Sequence, residues 1–159
     1  IYAMLFGAGP AKMGAVVGGA YDEGNLLLYS FYSRYPQVRH MQEKAQTEAR
    51  TRGHVRLLDG RDAPVRNEYQ APNVRIQGDE ACLMVLGDEI AHDRVRDRGL
   101  RAWKILDVHD EWQWECHPED AEKLASILES ALTDAGRRLG MHCPMAGEAK
   151  IGKDWSECH

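Results

Sequence analysis

The sequence predicts an α+β fold in which long helices outnumber short strands. Three observations lead there. Helical periodicity punctuated by proline or glycine runs through residues 22–52, 73–98 and 118–139. Two shorter stretches, 54–66 and 103–116, instead place strand-forming residues around a tight turn. No internal repeat and no low-complexity linker interrupts the series.

Taken in order, residues 1–8 are apolar and end at the breaker Gly7-Ala8-Gly9-Pro10. They start without Met or an N-cap residue and read as a helix entered halfway, so the chain is expected to be a fragment. A short helix fits 11–18, closed by Gly18-Gly19. A longer one starts at Asp22 and breaks near Tyr35-Pro36, because the residue before proline avoids the α region. Pro36 suits the first turn of the next helix, which runs to about Arg52 and ends at Gly53. Asp59-Gly60 between two short strand-like runs predicts a hairpin. Ile76, Ala81, Leu83, Met84, Leu86, Ile90 and Val95 form the apolar face of the helix over 73–98. A second hairpin is expected over Trp103–Cys116, with His109 and Asp110 at or near its tip. Pro118, Glu119 and Asp120 open the helix over 118–139, Arg137 and Arg138 close it, and Gly140 follows. A final strand at about 142–151 and an irregular tail complete the expectation.

At 159 residues and 43% hydrophobic, the chain can bury a core of its own or form one lobe of something larger. No apolar run nears the roughly 18 residues needed to span a bilayer, and nothing resembles a secretory leader. Four cysteines without CxxC spacing read as reduced thiols of a cytosolic protein. Three of them adjoin a histidine, at Cys116-His117, His142-Cys143 and Cys158-His159. A zinc-bound regulatory domain is the weakest reading of these pairs, since neighbours on a strand face opposite ways and each pair offers at most one ligand. The net charge of -5 lacks the basic footprint of a nucleic-acid binder. It does not decide the matter, because a site that gathers carboxylates for cations would also make the sum negative.

The acidic turn Val108-His109-Asp110-Glu111 carries the chemistry. Turn propensity alone favours Asn-Gly or Asp-Gly at a hairpin tip, and this turn has neither. A rigid tip suits a carboxylate held against Mg²⁺, which takes one or two protein carboxylates plus phosphate oxygens. Alternation along a strand turns Asp110 and Glu111 different ways, which makes Asp110 the expected metal ligand and Glu111 a supporting acid.

Val-His-Asp-Glu between two strands resembles motif C of the family A (DNA polymerase I-like) DNA polymerases. Ile1-Tyr2-Ala3-Met4-Leu5-Phe6-Gly7 is similar to the second half of that family's motif B helix. Tyr35-Pro36-Gln37-Val38-Arg39 and the run from Gly53-His54-Val55 to Leu58-Asp59-Gly60-Arg61 resemble the segment after it, and Asn73-Val74-Arg75-Ile76-Gln77-Gly78 resembles its Asn-x-x-x-Gln-Gly helix. The ending, Lys150-Ile151-Gly152-Lys153-Asp154-Trp155 to His159, is similar to the phage branch in particular. In order and spacing the likeness covers essentially the whole chain.

The resemblance implies residues 1–72 as part of the fingers subdomain and 73–159 as part of the palm. It implies a DNA-directed DNA polymerase that joins deoxynucleoside triphosphates to a primer 3′-hydroxyl with two Mg²⁺ ions, in a phage-infected bacterial cytoplasm. Asp110 would be the motif C metal ligand, with Glu111 auxiliary and His109 near the primer terminus. Tyr2 would pack on the incoming nucleotide's sugar and Phe6, in place of the family's usual tyrosine, near the template base. Asn73 and Gln77, one turn apart, would read pair geometry in the minor groove of primer–template DNA. Arg61 reads equally as a phosphate contact and as a solvated turn residue. Asp79-Glu80 depart from the small residues the family prefers after Gln-Gly. Motif A and the basic start of motif B are not in this sequence, so the fragment alone is expected to be inactive and to need the N-terminal part of the polymerase as partner. The alternative is a non-catalytic DNA-binding or subunit-interaction module of a replisome protein.

Overall fold

The computed structural model describes residues 1–158 and divides into two compact units that meet inside one long helix, at Asp79/Glu80. The first unit begins with α1 (Tyr2–Leu5), α2 (Pro10–Val16), α3 (Tyr21–Arg34) and α4 (Pro36–Arg52). Proline stands at the first position of α2 and α4, where its missing N–H has no intrahelical partner to lose. Glu23 reaches back to accept the Ala20 N–H at 2.9 Å at the start of α3. At the end of α4, Gly53 takes φ 76°, a conformation that a side chain would oppose.

Strands β1 (His54–Arg56) and β2 (Asp62–Pro64) then pair antiparallel, with Val55 opposite Ala63. Val55, Ala45, Ala49 and Ala71 are the buried centre of this unit, flanked by Leu57, Val65 and Val74. The alanines recur at helical spacing on α4, so its apolar stripe is narrow and admits close packing of the hairpin.

The long helix α5 (Ala71–Asp97) enters the second unit at Glu80 and is followed by strands β3 (Ala102–Val108) and β4 (Glu111–Cys116) and by helix α6 (Ala121–Arg138). Leu83, Ile90, Ala91 and Val95 of α5 meet Leu124, Ile127, Ala131 and Ala135 of α6 in one core. The α6 set falls at 3.6-residue periodicity, which is why that helix was legible from sequence. Arg94 of α5 also pairs with Asp134 of α6 and donates to the Ser130 hydroxyl at 2.9 Å.

The final strand expected at about 142–151 does not form. Among the described residues this segment runs without strand pairing, and α6 side chains take up its backbone groups instead. The Thr133 hydroxyl donates to the Met145 carbonyl at 2.9 Å, and the Ala149 N–H donates to Glu129 at 3.0 Å. Met145 also lies over Gly136, where a Cβ would come within 2.7 Å of its side chain. The tail regains order as α7 (Trp155–Cys158), whose start is held by Asp154 accepting from the Ser156 N–H and hydroxyl.

Candidate active site

The pairing of Val108 with Glu111 leaves His109 and Asp110 as a two-residue turn at the tip of the β3–β4 hairpin. Two-residue hairpin turns need a positive φ, and His109 supplies it at φ 53°, the one non-glycine residue among those described to do so. Asp110 is exposed, whereas Glu111 is half-buried and accepts from the Gln113 side chain at 3.3 Å. The two carboxylates thus differ because one sits in the turn and the other in the strand. Alternation between two strand positions does not apply to Asp110.

The hairpin is fixed against α5 through one face. Trp112 packs over Gly87, where an added Cβ would lie 2.6 Å from its ring, so only glycine admits this approach. Trp114 packs against His92 with ring centroids 4.6 Å apart and the planes tilted by 48°. Lys104 of β3 reaches Asp88 of α5 at 2.9 Å and Asp107 at 2.6 Å. Burial opposes the charge on Lys104, but hydrogen bonds to Asp107 and Asp88 outweigh it and raise its pKa above the ordinary lysine value. Beside the hairpin an open hollow of about 1090 Å³ is walled by Asp110, Glu111, Trp112, Leu128, Lys150 and Lys153, among others.

The remaining site candidates lie in the first unit. Tyr2 is exposed and Phe6 half-exposed, one turn apart, with the Phe6 N–H donating to the Tyr2 carbonyl at 3.0 Å. Asn73 and Gln77 share one face of α5, the first half-buried and the second exposed. Arg61 lies apart in the β1–β2 turn, where its guanidinium contacts Asp59 at 2.5 Å. Asp79 is half-buried, and its carboxylate accepts the Leu58 N–H at 2.8 Å. Burial pushes its pKa above the usual carboxylate range, against the opposing pull of that bond and of Arg75.

Two supports were not singled out from sequence. Gln42, only 5% exposed, donates to the Met4 and Leu5 carbonyls at 2.8 Å each and accepts from the Tyr32 hydroxyl at 2.8 Å. It thereby satisfies the carbonyls that end α1, the helix that carries Tyr2. Its signal was present: a polar residue on the stripe formed by Val38, Ala45 and Ala49. Lys104 had no such signal, for a reason that lies in the irregularity of β3.

The chain matches the profile of DNA polymerase family A over residues 1–157. It belongs to DNA polymerase family A. The family A chain is 31% identical over its full length to a DNA-directed DNA polymerase of Escherichia phage Phieco32, of which it spans 27%. It is 28% identical to the thermostable DNA polymerase I of Thermus aquaticus over 97% of its length, and spans 19% of that relative. In fold, 84% of it superposes on 26% of a chain described as the POL domain of Pol1 from M. smegmatis, in complex with DNA primer-template and dNTP. The TM-score is 0.78 and the identity 21%. Among the described residues of the family A chain, no helix is long and apolar enough to cross a membrane, and no three His, Cys, Asp or Glu side chains gather to hold a metal ion.

Proposed function

We propose that this chain forms part of the active site of a DNA-directed DNA polymerase that extends a primer 3′-hydroxyl with deoxynucleotides, in phage DNA replication. The observation that carries the reading is an exposed carboxylate, Asp110, held on a two-residue turn in a chain that belongs to family A across residues 1–157. In this reading residues 1–72 are fingers and 73–159 palm.

Mg²⁺ fits the donor set here in part. Asp110 would offer an oxygen ligand on a two-residue turn, and among the described residues it has no side-chain partner that would compete. Glu111 stands next to it as a supporting acid. When bound, Mg²⁺ lowers the pKa of the attacking hydroxyl and neutralises charge at the transferred phosphate. A pair of such ions needs further carboxylates, which we assign to the remainder of the polymerase. His109 orients the primer terminus beside Asp110. Tyr2 and Phe6 offer ring faces to the incoming nucleotide and the template base. Asn73 and Gln77 present amide donors to the minor-groove acceptors that every correct pair shares. For Arg61, its partner Asp59 favours the turn role over a phosphate contact.

Primer extension by the polymerase polypeptide that carries this chain tests the proposal. Asp110→Ala is expected to slow nucleotide addition about a hundredfold or more, as removal of a group that stabilises transition-state charge does. Primer–template binding, measured alongside, should remain. Extension at the parent rate would end the assignment and favour a non-catalytic DNA-binding or interaction module.

A further inference from the structure

The irregularity in β3 decides which side chains support the turn. Lys104 pairs with Trp114 and Leu106 with Gln113, so Ile105 has no cross-strand partner and bulges from the ladder. On a regular strand, residues three apart face opposite ways. The extra residue restores parity, so Lys104 and Asp107 lie on one face, across from Trp114 and Trp112. That is the face packed on α5, and there the ammonium bridges Asp88 and Asp107.

We propose that Lys104 is a positioning residue for the acidic turn, tying Asp107, three residues before Asp110, to Asp88 on α5. The inference rests on the reading of Asp110 as a metal-binding carboxylate. A lysine ammonium suits this place because its three donors reach carboxylates on two separate elements at once. Its side chain keeps only 15% of its exposure and that of Asp88 22%, so the contact is shielded from solvent screening, while Asp107 at 63% is the outer end of the bridge. Trp112 and Trp114 hold the hairpin face-on to α5, but rings packed on a glycine and a histidine leave sliding along the strand direction opposed by shape alone. The Lys104 bridge adds a directional link part-way down β3 from the tip. It also engages Asp107, the third acidic side chain near the turn, and keeps that carboxylate on the α5 side of the sheet.

The test uses the polymerase polypeptide that carries this chain, assayed for single-nucleotide addition across a Mg²⁺ titration. Lys104→Met keeps the apolar stem and removes the ammonium. Asp107→Asn removes the charge at the exposed end, where folding is least at risk. Both are expected to lower kcat about tenfold, as small misplacement of a reacting group does. Both should shift the Mg²⁺ midpoint upward while the KM for nucleotide changes less than twofold. Lys104→Arg should recover at least half of the lost rate. If both variants keep the parent kcat and Mg²⁺ midpoint, or if rate falls only in proportion to unfolded protein, the positioning role is refuted. Asp110→Ala in the same assay separates the two ideas: full activity there defeats the site itself, whereas an inactive Asp110→Ala beside unaffected Lys104 and Asp107 variants defeats only this inference.

Discussion

Replacing His109 by glycine should make the hairpin more stable and the polymerase worse. At φ 53° a residue with a Cβ is held against its preference, at a cost of about 1–2 kcal/mol. Glycine relieves that strain but gives back about 0.5–1 kcal/mol through the extra freedom of the unfolded chain. At the middle of both ranges the balance favours His109→Gly by roughly 0.75 kcal/mol, which corresponds to about three- to fourfold slower exchange of the amides around Val108 and Glu111 when exchange follows hairpin opening. Native-state hydrogen exchange reads the stability, and primer extension by the polypeptide that carries this chain reads the activity. Slower exchange together with slower extension is expected, because strain tolerated at a site signals that the side chain does something there. Exchange that is unchanged or faster would refute the strain argument. Extension at the parent rate would show that the imidazole is not the reason the strain persists.

Two further outcomes follow from the first unit. Burial raises the Asp79 carboxyl above its usual range, so the folded chain holds that proton more tightly than the unfolded chain does. The associated stability is complete below the unfolded value of about 3.9 and is lost as pH climbs through the folded value. Asp79→Asn keeps an acceptor for the Leu58 N–H and removes the charge, so it should slow hydrogen exchange in the β1–β2 turn at pH 7; no change there would contradict the assigned cause. Gln42→Met strips the Met4 and Leu5 carbonyls and the Tyr32 hydroxyl of their partner; each is part-buried, so the loss per group falls below the about 1–3 kcal/mol of a fully buried group left unsatisfied. It should accelerate exchange at Phe6 and Gly7 and raise the KM for nucleotide about tenfold, and an unchanged KM would detach Gln42 from the Tyr2–Phe6 face.

The sequence by itself determined the elements whose information is local. Pro10, Pro36 and Gly53 mark helix ends because proline and glycine act on their own backbone, and the Leu124–Ile127–Ala131–Ala135 spacing specifies the buried face of α6 through the geometry of a single helix. The place of His109 and Asp110 at a hairpin tip was readable for the same reason. Tertiary structure decided the rest. Whether a strand forms after Gly140 depends on a free edge, and Thr133 and Glu129 of α6 take up the backbone groups of that segment instead. Asp79 reads as a surface charge until the Leu58 N–H is found against it. Lys104 and Asp107 alternate to opposite faces on paper, and only the bulge at Ile105 brings them together. Each of these outcomes depends on a partner far along the chain, and periodicity within one element carries no record of it.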